Sequence, residues 1–206
     1  MDETMRKTFV KEQYDFEDLK RIVKKLRDPD GCPWDRAQTH ESMEDCMIEE
    51  AFEVVEAVRN KDIANLREEL GDVMLQVLLH TRIAEEEKEF TFEDVVDELS
   101  KKLIRRHPHV FGKEEAATTS MEGLSRWEAI KKQEKEAKGQ DERGELLRIP
   151  HTLPPIRRAQ KVMKKAEKLY GYSKEFDELK IEVEKLREAE NALTNAIETF
   201  IKKMEG

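Results

Sequence analysis

The sequence is poor in cysteine, glycine and proline, and it contains no long apolar run. Its 206 residues include 2 cysteines, 8 glycines and 6 prolines. Two isolated cysteines do not make a disulfide scaffold and are typical of a protein with reduced thiols, so we expect a cytoplasmic protein. No stretch reaches the apolar length of a signal peptide or a membrane span, so we expect neither export nor insertion.

The sequence is rich in charge. Charged residues make up 41% of the chain, hydrophobic residues make up 37%, and the formal net charge is -9. This balance is typical of long amphipathic helices with solvated faces. A net negative charge argues against a protein that coats nucleic acid through a basic surface, so no stable nucleic-acid binding is expected. The length allows one substantial core and a smaller helical appendage.

Hydrophobic periodicity predicts four helices in the first half of the chain. Polar residues mark their expected starts, which are Asp15, about Thr39, Asp62 and Thr91. The second helix should run to about Asn60, and the short break that follows makes it antiparallel to the third helix. A turn-forming segment, residues 28–33, separates the first two helices, and Trp34 is expected in the same loop.

The second half is predicted to contain a further helix, a linker and a helical tail. A helix from Ser120 to about Lys135 is followed by a charged stretch with little to bury. The predicted organisation is therefore a domain at 1–137, a linker at 138–154 and a helical region at 155–206. Large apolar residues recur every seven positions in the last helix, at Leu179, Leu186, Leu193 and Phe200. This spacing predicts an interface, either within the chain or in a dimer.

Two acidic pairs carry the chemical signal of the sequence. Glu50 with Glu53, and Glu69 with Asp72, are each three residues apart, so each pair projects from one side of its helix. In a hairpin that turns at Lys61 the pairs lie equally far from the turn and should face each other. Four converging carboxylates would repel unless a cation neutralised them. Oxygen ligands favour Mg²⁺, with Mn²⁺ as a possible substitute.

The acidic pairs also have other interpretations. In a chain with 47 acidic residues, one such pair is usually a solvated helix face. Two mirror-placed pairs are harder to explain in that way. Gly71, which costs about 1 kcal/mol relative to alanine inside a helix, fits a need for close backbone approach or for space beside a bound group. A ferritin-like di-iron site requires Glu-x-x-His motifs, which neither pair supplies. A zinc site of Cys32 and Cys46 with His107 and His109 lacks a recognisable ligand spacing.

Several motifs resemble the MazG-type nucleoside triphosphate pyrophosphohydrolases. These are Glu49-Glu50-x-x-Glu53 with Glu69-x-x-Asp72, Gly31-Cys32-Pro33-Trp34-Asp35, Arg105-Arg106-His107-Pro108 and Arg126-Trp127-Glu128. The resemblance spans roughly residues 16–170. It implies an all-α fold, a four-helix bundle completed by dimerisation, with a C-terminal helical extension. It also implies hydrolysis of a nucleoside triphosphate between its α and β phosphates, which yields the monophosphate and pyrophosphate.

The resemblance and the residue types together suggest a role for each candidate. Magnesium would be held by Glu50, Glu53, Glu69 and Asp72. Glu49 is the candidate for orienting or deprotonating the attacking water, or for holding a second ion. Lys102, Arg105 and Arg106 could converge on the phosphate chain, although a basic helix end also complements the helix dipole. Trp34 could stack on a nucleobase or anchor its loop by packing.

The region after Pro155 departs from the family pattern. Many two-domain relatives carry a second acidic signature there, whereas no later partner pair follows Glu182, Glu184 and Glu188. We therefore expect 155–206 to be a truncated or degenerate second MazG-like region. The alternative to an enzyme is a helical regulatory or scaffold protein that binds nucleotides without turning them over.

Overall fold

The structure is a computed structural model that describes residues 9–113, 116–139 and 143–205. The regular elements in these ranges are all helices, so the predicted all-α fold is confirmed. In chain order the helices are α1 (Phe16–Arg27), α2 (Pro33–Ala37), α3 (Glu44–Asn60), α4 (Ile63–Glu87), α5 (Phe92–Arg106), α6 (Pro108–Phe111), α7 (Ser120–Ala137), α8 (Pro155–Tyr170) and α9 (Glu175–Glu205). None of the helices described is long and apolar enough to cross a bilayer. The start of the predicted first domain and part of the predicted linker lie outside the described residues.

Three of the predicted helix starts are confirmed by hydrogen bonds. Asp15 and Asp18 form a reciprocal capping box at the start of α1, with backbone-to-carboxylate distances of 2.8 and 3.2 Å. Thr91 and Asp94 form the same arrangement at the start of α5. The Asp62 carboxylate accepts a backbone N–H at 3.0 Å at the start of α4. These bonds satisfy donors that a helix N-terminus leaves without partners.

Two local predictions were wrong. Trp34, expected in a loop, lies in the short helix α2, which has Pro33 at a position where its missing N–H costs little. The second long helix begins at Glu44, not near Thr39. Thr39 N–H donates to Ser42 Oγ at 2.9 Å, and Ser42 N–H donates to Thr39 Oγ1 at 3.2 Å. These side-chain bonds compete with helical pairing and delay the helix.

The unit formed by residues 1–113 is organised around α4. Helix α3 pairs with α4 in a hairpin, and α1 and α5 also pack on α4. The hairpin turns at Lys61, which adopts a left-handed conformation with φ of 57°, while Asp62 N–H donates to Ala57 O at 3.0 Å. The main buried cluster of this unit contains Val23, Met43, Leu78 and Leu79. The other long helices of the unit thus pack on α4, and completion of the bundle by dimerisation stays a prediction.

The α3–α4 hairpin also leaves apolar side chains uncovered within this unit. At helical spacing these are Ile48, Phe52 and Val55 on α3, and Ile63, Leu70 and Met74 on α4, each at least 40% exposed. We call these six residues the apolar hairpin set. Ile63, at the start of α4, is the most exposed of the six at 74%. The C-terminal half of α4 supplies the core instead, because α1 and α5 cover only that half.

The unit formed by residues 114–206 contains α7, α8 and α9. The boundary expected at 138–154 stays a prediction. Glu145, in a 3₁₀ turn after α7, pairs with Lys135 at 2.5 Å and with Lys165 of α8 at 2.7 Å. Ile149 in the same segment is 2% exposed. The stretch expected to be a charged linker is therefore partly anchored.

The apolar residues that recur every seven positions along α9 differ in burial. Val183, near its start, is buried at 9% exposure, and α9 packs on α8. Further along, Leu193 is 62% exposed and Phe200 is 63% exposed. The first part of the stripe thus packs within the unit. An interface role for the later part stays a prediction.

Candidate metal and nucleotide site

The α3–α4 hairpin brings the two predicted acidic pairs together. One carboxylate oxygen each from Glu50, Glu69 and Asp72 lies within 4.8 Å of the others. Glu53 interacts with both Glu50 and Glu69. We call Glu50, Glu53, Glu69 and Asp72 the acidic cluster. Its convergence follows from the short turn at Lys61, which places residues equally distant from it opposite one another. That the cluster binds a metal stays a prediction at this point.

The electrostatics of the cluster disfavour its fully charged form. Burial raises the pKa of Glu50, and the neighbouring charges of Asp72 and Glu53 raise it further. Burial likewise raises the pKa of Glu69, with Glu53 as the next contribution. Both shifts have the sign expected when carboxylates crowd together without a compensating cation. A divalent ion would remove this repulsion.

The residues present fit a hard divalent cation. All four donors are carboxylates, and Mg²⁺ and Mn²⁺ prefer oxygen ligands. Gly71, between Glu69 and Asp72, has open space beside it, because an added Cβ would meet no other heavy atom within 4 Å. Close backbone approach within the chain therefore does not explain this glycine. The open space leaves room for a bound group, and that role for Gly71 stays a prediction.

Glu49 is adjacent in sequence to Glu50 of the acidic cluster, but its carboxylate is not among the oxygen atoms that converge there. It is exposed on α3, whereas its neighbour Glu50 is half-buried. Successive residues on a helix point about 100° apart, so Glu49 cannot share the direction of Glu50. This placement leaves its carboxylate in contact with solvent. Its predicted role with the attacking water stays a prediction.

The predicted phosphate and base contacts lie on other helices. Lys102, Arg105 and Arg106 occupy the last turns of α5, where Lys102 and Arg105 are exposed and Arg106 is half-buried. Trp34 on α2 is 60% exposed. A packing anchor within this chain would be more deeply buried, so the exposure agrees better with the stacking hypothesis. The substrate roles of all four residues stay predictions.

Sequence reasoning missed one group of potential ligands. His40, Glu87 and Glu89 each offer a ligand atom, and these three atoms lie within 4.8 Å of one another. His40 Nδ1 lies 2.8 Å from His80 Nδ1. Burial lowers the pKa of His80, and the neighbouring His40 lowers it further. Since 47 residues separate His40 from Glu87 and 49 separate it from Glu89, no local spacing could have revealed the group.

Comparison with known proteins places the hairpin in a described family. Residues 38–111 match the model of the MazG nucleotide pyrophosphohydrolase domain. The chain belongs to the MazG family. The matched residues of this MazG protein include the whole acidic cluster and the basic end of α5, whereas Trp34 lies before them. The resemblance inferred from the sequence motifs is confirmed.

The relatives of this MazG protein include characterised and uncharacterised chains. It is 48% identical over 145 residues to the nucleoside triphosphate pyrophosphohydrolase/pyrophosphatase MazG of Thermotoga maritima, covering 70% of this chain and 55% of that one. It is 44% identical over 148 residues to the nucleoside triphosphate pyrophosphohydrolase of Escherichia coli, covering 71% and 55%. An uncharacterised Bacillus subtilis protein, YabN, is 45% identical over 151 residues, covering 73% and 30%.

The match to each of these relatives is partial. This chain spans 30% of the Bacillus protein and 55% of each of the other two. A solved structure of a MazG-related protein from Thermotoga maritima is 32% identical in sequence, with a TM-score of 0.47, and the match covers 55% of this chain and 96% of that one.

Proposed function

We propose that this chain is a magnesium-dependent hydrolase that converts nucleoside triphosphates to nucleoside monophosphates and pyrophosphate. The observation that carries the proposal is the acidic cluster. Three of its carboxylates lie within 4.8 Å of one another, Glu53 interacts with two of them, and Glu50 and Glu69 have raised pKa values. The cluster lies inside the segment that matches the pyrophosphohydrolase domain. Relatives named for this activity share 44% and 48% of the aligned residues.

Each member of the site has a defined task in this reaction. The acidic cluster would hold Mg²⁺, which when bound neutralises phosphate charge and lowers the pKa of a coordinated water. Glu49, exposed beside the cluster, would orient the attacking water or accept its proton. Water adds its oxygen to a phosphorus atom while the bridge between the α and β phosphates breaks. The pyrophosphate departs with the bridging oxygen or leaves it on the monophosphate, according to which phosphorus is attacked.

The basic end of α5 would bind the phosphate chain. Lys102, Arg105 and Arg106 stand at i, i+3 and i+4, so their side chains leave the same side of α5. Charge-assisted hydrogen bonds from these groups would stabilise the charge that pyrophosphate gains on leaving. These residues would bind the phosphates and not the base. Trp34, exposed on α2, is the residue we propose for stacking on the base.

A homodimer is part of the same proposal. The apolar hairpin set leaves six large apolar side chains at least 40% exposed on the two helices that hold the acidic cluster. Exposed apolar side chains of this size and number are typical of an interface. A second copy covering it would complete the bundle and exclude water near the cluster. Light scattering should give twice the chain mass, and Phe52→Glu should return the mass to that of one chain.

The decisive experiment identifies the products. The full chain would be incubated with a panel of ribo- and deoxynucleoside triphosphates, with Mg²⁺, with Mn²⁺ and with a chelator, and the products separated chromatographically. Monophosphate and pyrophosphate that form only with a divalent ion support the proposal. Diphosphate and phosphate, or turnover that is unchanged by the chelator, would contradict it. The panel also measures base and sugar preference.

A second candidate function is a nucleotide-binding regulator or scaffold. It is favoured by the exposed later part of the α9 stripe, where Leu193 and Phe200 are more than 60% exposed. It predicts nucleotide binding in the presence of Mg²⁺ without release of pyrophosphate. Calorimetric binding of a triphosphate by a chain that turns over no member of the panel would favour this candidate.

We also expect a reducing compartment, since Cys32 and Cys46 are both free thiols.

A further inference from the structure

A second group of metal-ligating side chains lies at the C-terminal end of α4. A ring nitrogen of His40 and one carboxylate oxygen each from Glu87 and Glu89 lie within 4.8 Å of one another. The group shares no residue with the acidic cluster. Glu87 follows Asp72 by fifteen residues on the same helix, which at 1.5 Å per residue separates them by roughly 22 Å. The two groups are therefore distinct.

Hydrogen bonds fix the backbone on either side of His40. Arg27, whose side chain is 5% exposed, donates to Gln38 O at 3.1 Å and pairs with Glu86 of α4 at 2.9 Å. On the other side, Thr39 and Ser42 exchange the side-chain bonds that delay α3. The segment that carries His40 is thereby tied to the end of α4. Its imidazole is held at the site before any ligand arrives.

The orientation of the His40 ring is set by His80. The two rings are nearly parallel, with an interplanar angle of 5°, and their Nδ1 atoms lie 2.8 Å apart. One of these nitrogens must carry the proton and the other must accept it. This bond uses Nδ1 of His40 and leaves Nε2 as its available ligand atom. Metal-binding histidines typically have one ring nitrogen engaged in this way, which fixes the tautomer and the ring orientation.

The two glutamates converge because the chain reverses direction between them. Lys88 is in the left-handed region with φ of 61°, and Glu89 N–H donates to Ala84 O at 3.0 Å, which closes the end of α4. The Glu89 carboxylate is thus brought back towards that of Glu87. Both side chains are exposed, so they can move the short distance needed to close on an ion.

Carboxylates outnumber cations at this helix end, since Glu85, Glu86, Glu87 and Glu89 stand against Arg27, Arg82 and Lys88. The last turn of α4 contains no basic residue. Glu85 pairs with Arg82 at 3.1 Å and Glu86 pairs with Arg27 at 2.9 Å, but among the residues that the structure describes Glu87 and Glu89 form no ion pair. A helix C-terminus carries partial negative charge, and two carboxylates add to it. A cation at this position would offset both.

We propose that His40, Glu87 and Glu89 bind a transition-metal ion of the Zn²⁺ class. Imidazole together with carboxylate suits Zn²⁺, whereas Mg²⁺ prefers oxygen ligands throughout. Water would complete the coordination sphere. The ion would fasten the segment before α3 to the end of α4, and so act on the geometry of the hairpin from outside the acidic cluster. This proposal does not depend on the nucleotide-hydrolysing activity.

The first test follows the histidine rings directly. The full chain, labelled with ¹⁵N, would be titrated with Zn²⁺ in excess Mg²⁺, and the imidazole resonances recorded by NMR. With one equivalent of Zn²⁺, the Nε2 resonance of His40 should show the large shift that coordination causes. His107, His109 and His151 should keep their resonances. An unchanged His40, or a shift confined to the other three histidines, would overturn the proposal.

Calorimetry with matched variants supplies the second test. His40→Gln and Glu89→Gln should each weaken Zn²⁺ binding at least about tenfold, and His80→Phe should weaken it roughly 10- to 100-fold through loss of the orienting bond. His151→Gln and Glu44→Gln remove one histidine and one exposed glutamate elsewhere and should leave the affinity unchanged. Glu89→Gln lies in an exposed turn, so it tests the proposal even if the histidine variants fold poorly. Equal Zn²⁺ affinity in Glu89→Gln and in the controls would overturn the assignment.

Discussion

The two ends of α4 carry carboxylates in contrasting surroundings. Near its start, Glu69 and Asp72 face a second acidic pair across the hairpin, and the cluster contains oxygen donors alone. Near its end, Glu87 meets Glu89 and an imidazole whose ring is held by a second histidine. The first arrangement suits Mg²⁺ and the second suits Zn²⁺. The two ends of α4 therefore contribute to two sets of ligands, and we expect these sets to bind different metal ions.

The comparison teaches that the partners of a carboxylate decide what it can do. Glu85 and Glu86 lie on α4, which contributes residues to both ligand groups. Each of them pairs with an arginine of the chain, which balances its charge. The acidic cluster has carboxylates as its neighbours, so an external cation would offset its charge. Counting acidic residues in a sequence cannot separate these cases.

The strongest test of the comparison is loss of one ligand at each end of α4. Asp72→Asn should lower kcat/KM for a nucleoside triphosphate by about 100-fold or more, equivalent to about 2.7 kcal/mol, because the bound Mg²⁺ is lost or misplaced. Glu87→Gln should leave kcat/KM within about twofold when Mg²⁺ is the metal supplied, since the sites are distant. Steady-state kinetics on both variants measures this. Equal inactivation by the two substitutions would show that the groups are not independent.

A smaller effect is expected at the end of α5. Lys102→Ala should raise KM roughly tenfold, equivalent to about 1.4 kcal/mol, because one charge-assisted contact to phosphate is removed. Lys101→Ala is the matched control, since the Lys101 ammonium pairs with Asp97 at 2.5 Å on the same helix. The control should leave KM unchanged. An equal rise in KM for both variants would indicate a general loss of positive charge, and not a phosphate contact by Lys102.

The acidic cluster should also cost stability when metal is removed. Its burial and its neighbours raise the pKa of Glu50, so the charged form is unfavourable in the folded state. This cost is present at neutral pH and disappears as the pH falls through the raised pKa. Glu50→Gln should therefore raise the thermal midpoint in chelator at neutral pH, with the gain vanishing under acid. Glu49→Gln, on the adjacent exposed residue, should produce no such gain, and an equal gain there would contradict the electrostatic explanation.

Glu145 provides the opposite electrostatic case. Burial opposes its ionisation, but hydrogen bonds from Lys135 and Lys165 prevail and lower its pKa to about 2. A lowered pKa contributes stability above the usual value of 4.5, and that contribution is lost as the pH falls towards 2. Glu145→Gln should destabilise the chain at neutral pH and reduce its further loss of stability in acid. Denaturation followed between neutral pH and pH 2 would measure this, and parallel pH profiles for variant and parent would contradict it.

Much of the fold could be predicted because its signals are local. Asp15, Asp62 and Thr91 each cap a helix through a side chain that reaches a backbone N–H three residues on. The errors were local as well. Pro33 starts a short helix where a loop was expected, and the exchange of bonds between Thr39 and Ser42 delays α3. Both depend on a few competing hydrogen bonds whose outcome a periodic pattern does not encode.

The two ligand groups differ in how far the sequence could reveal them. The acidic cluster follows from helical spacing and a two-residue turn, so the convergence of Glu50 and Glu53 with Glu69 and Asp72 was predictable. The sequence could not predict which apolar residues other helices cover. Coverage of Ile63 and Leu70 depends on where α1 and α5 pack along α4.

The sequence by itself determined the helical composition, the helix caps and the acidic hairpin, since each rests on residues close together in the chain. The tertiary structure alone decided the meeting of His40 with His80, Glu87 and Glu89, and the anchoring of Glu145 between Lys135 and Lys165. The physical reason is that side-chain chemistry acts over a few ångströms, whereas these groups are brought within that range only by the packing of helices that are distant in sequence.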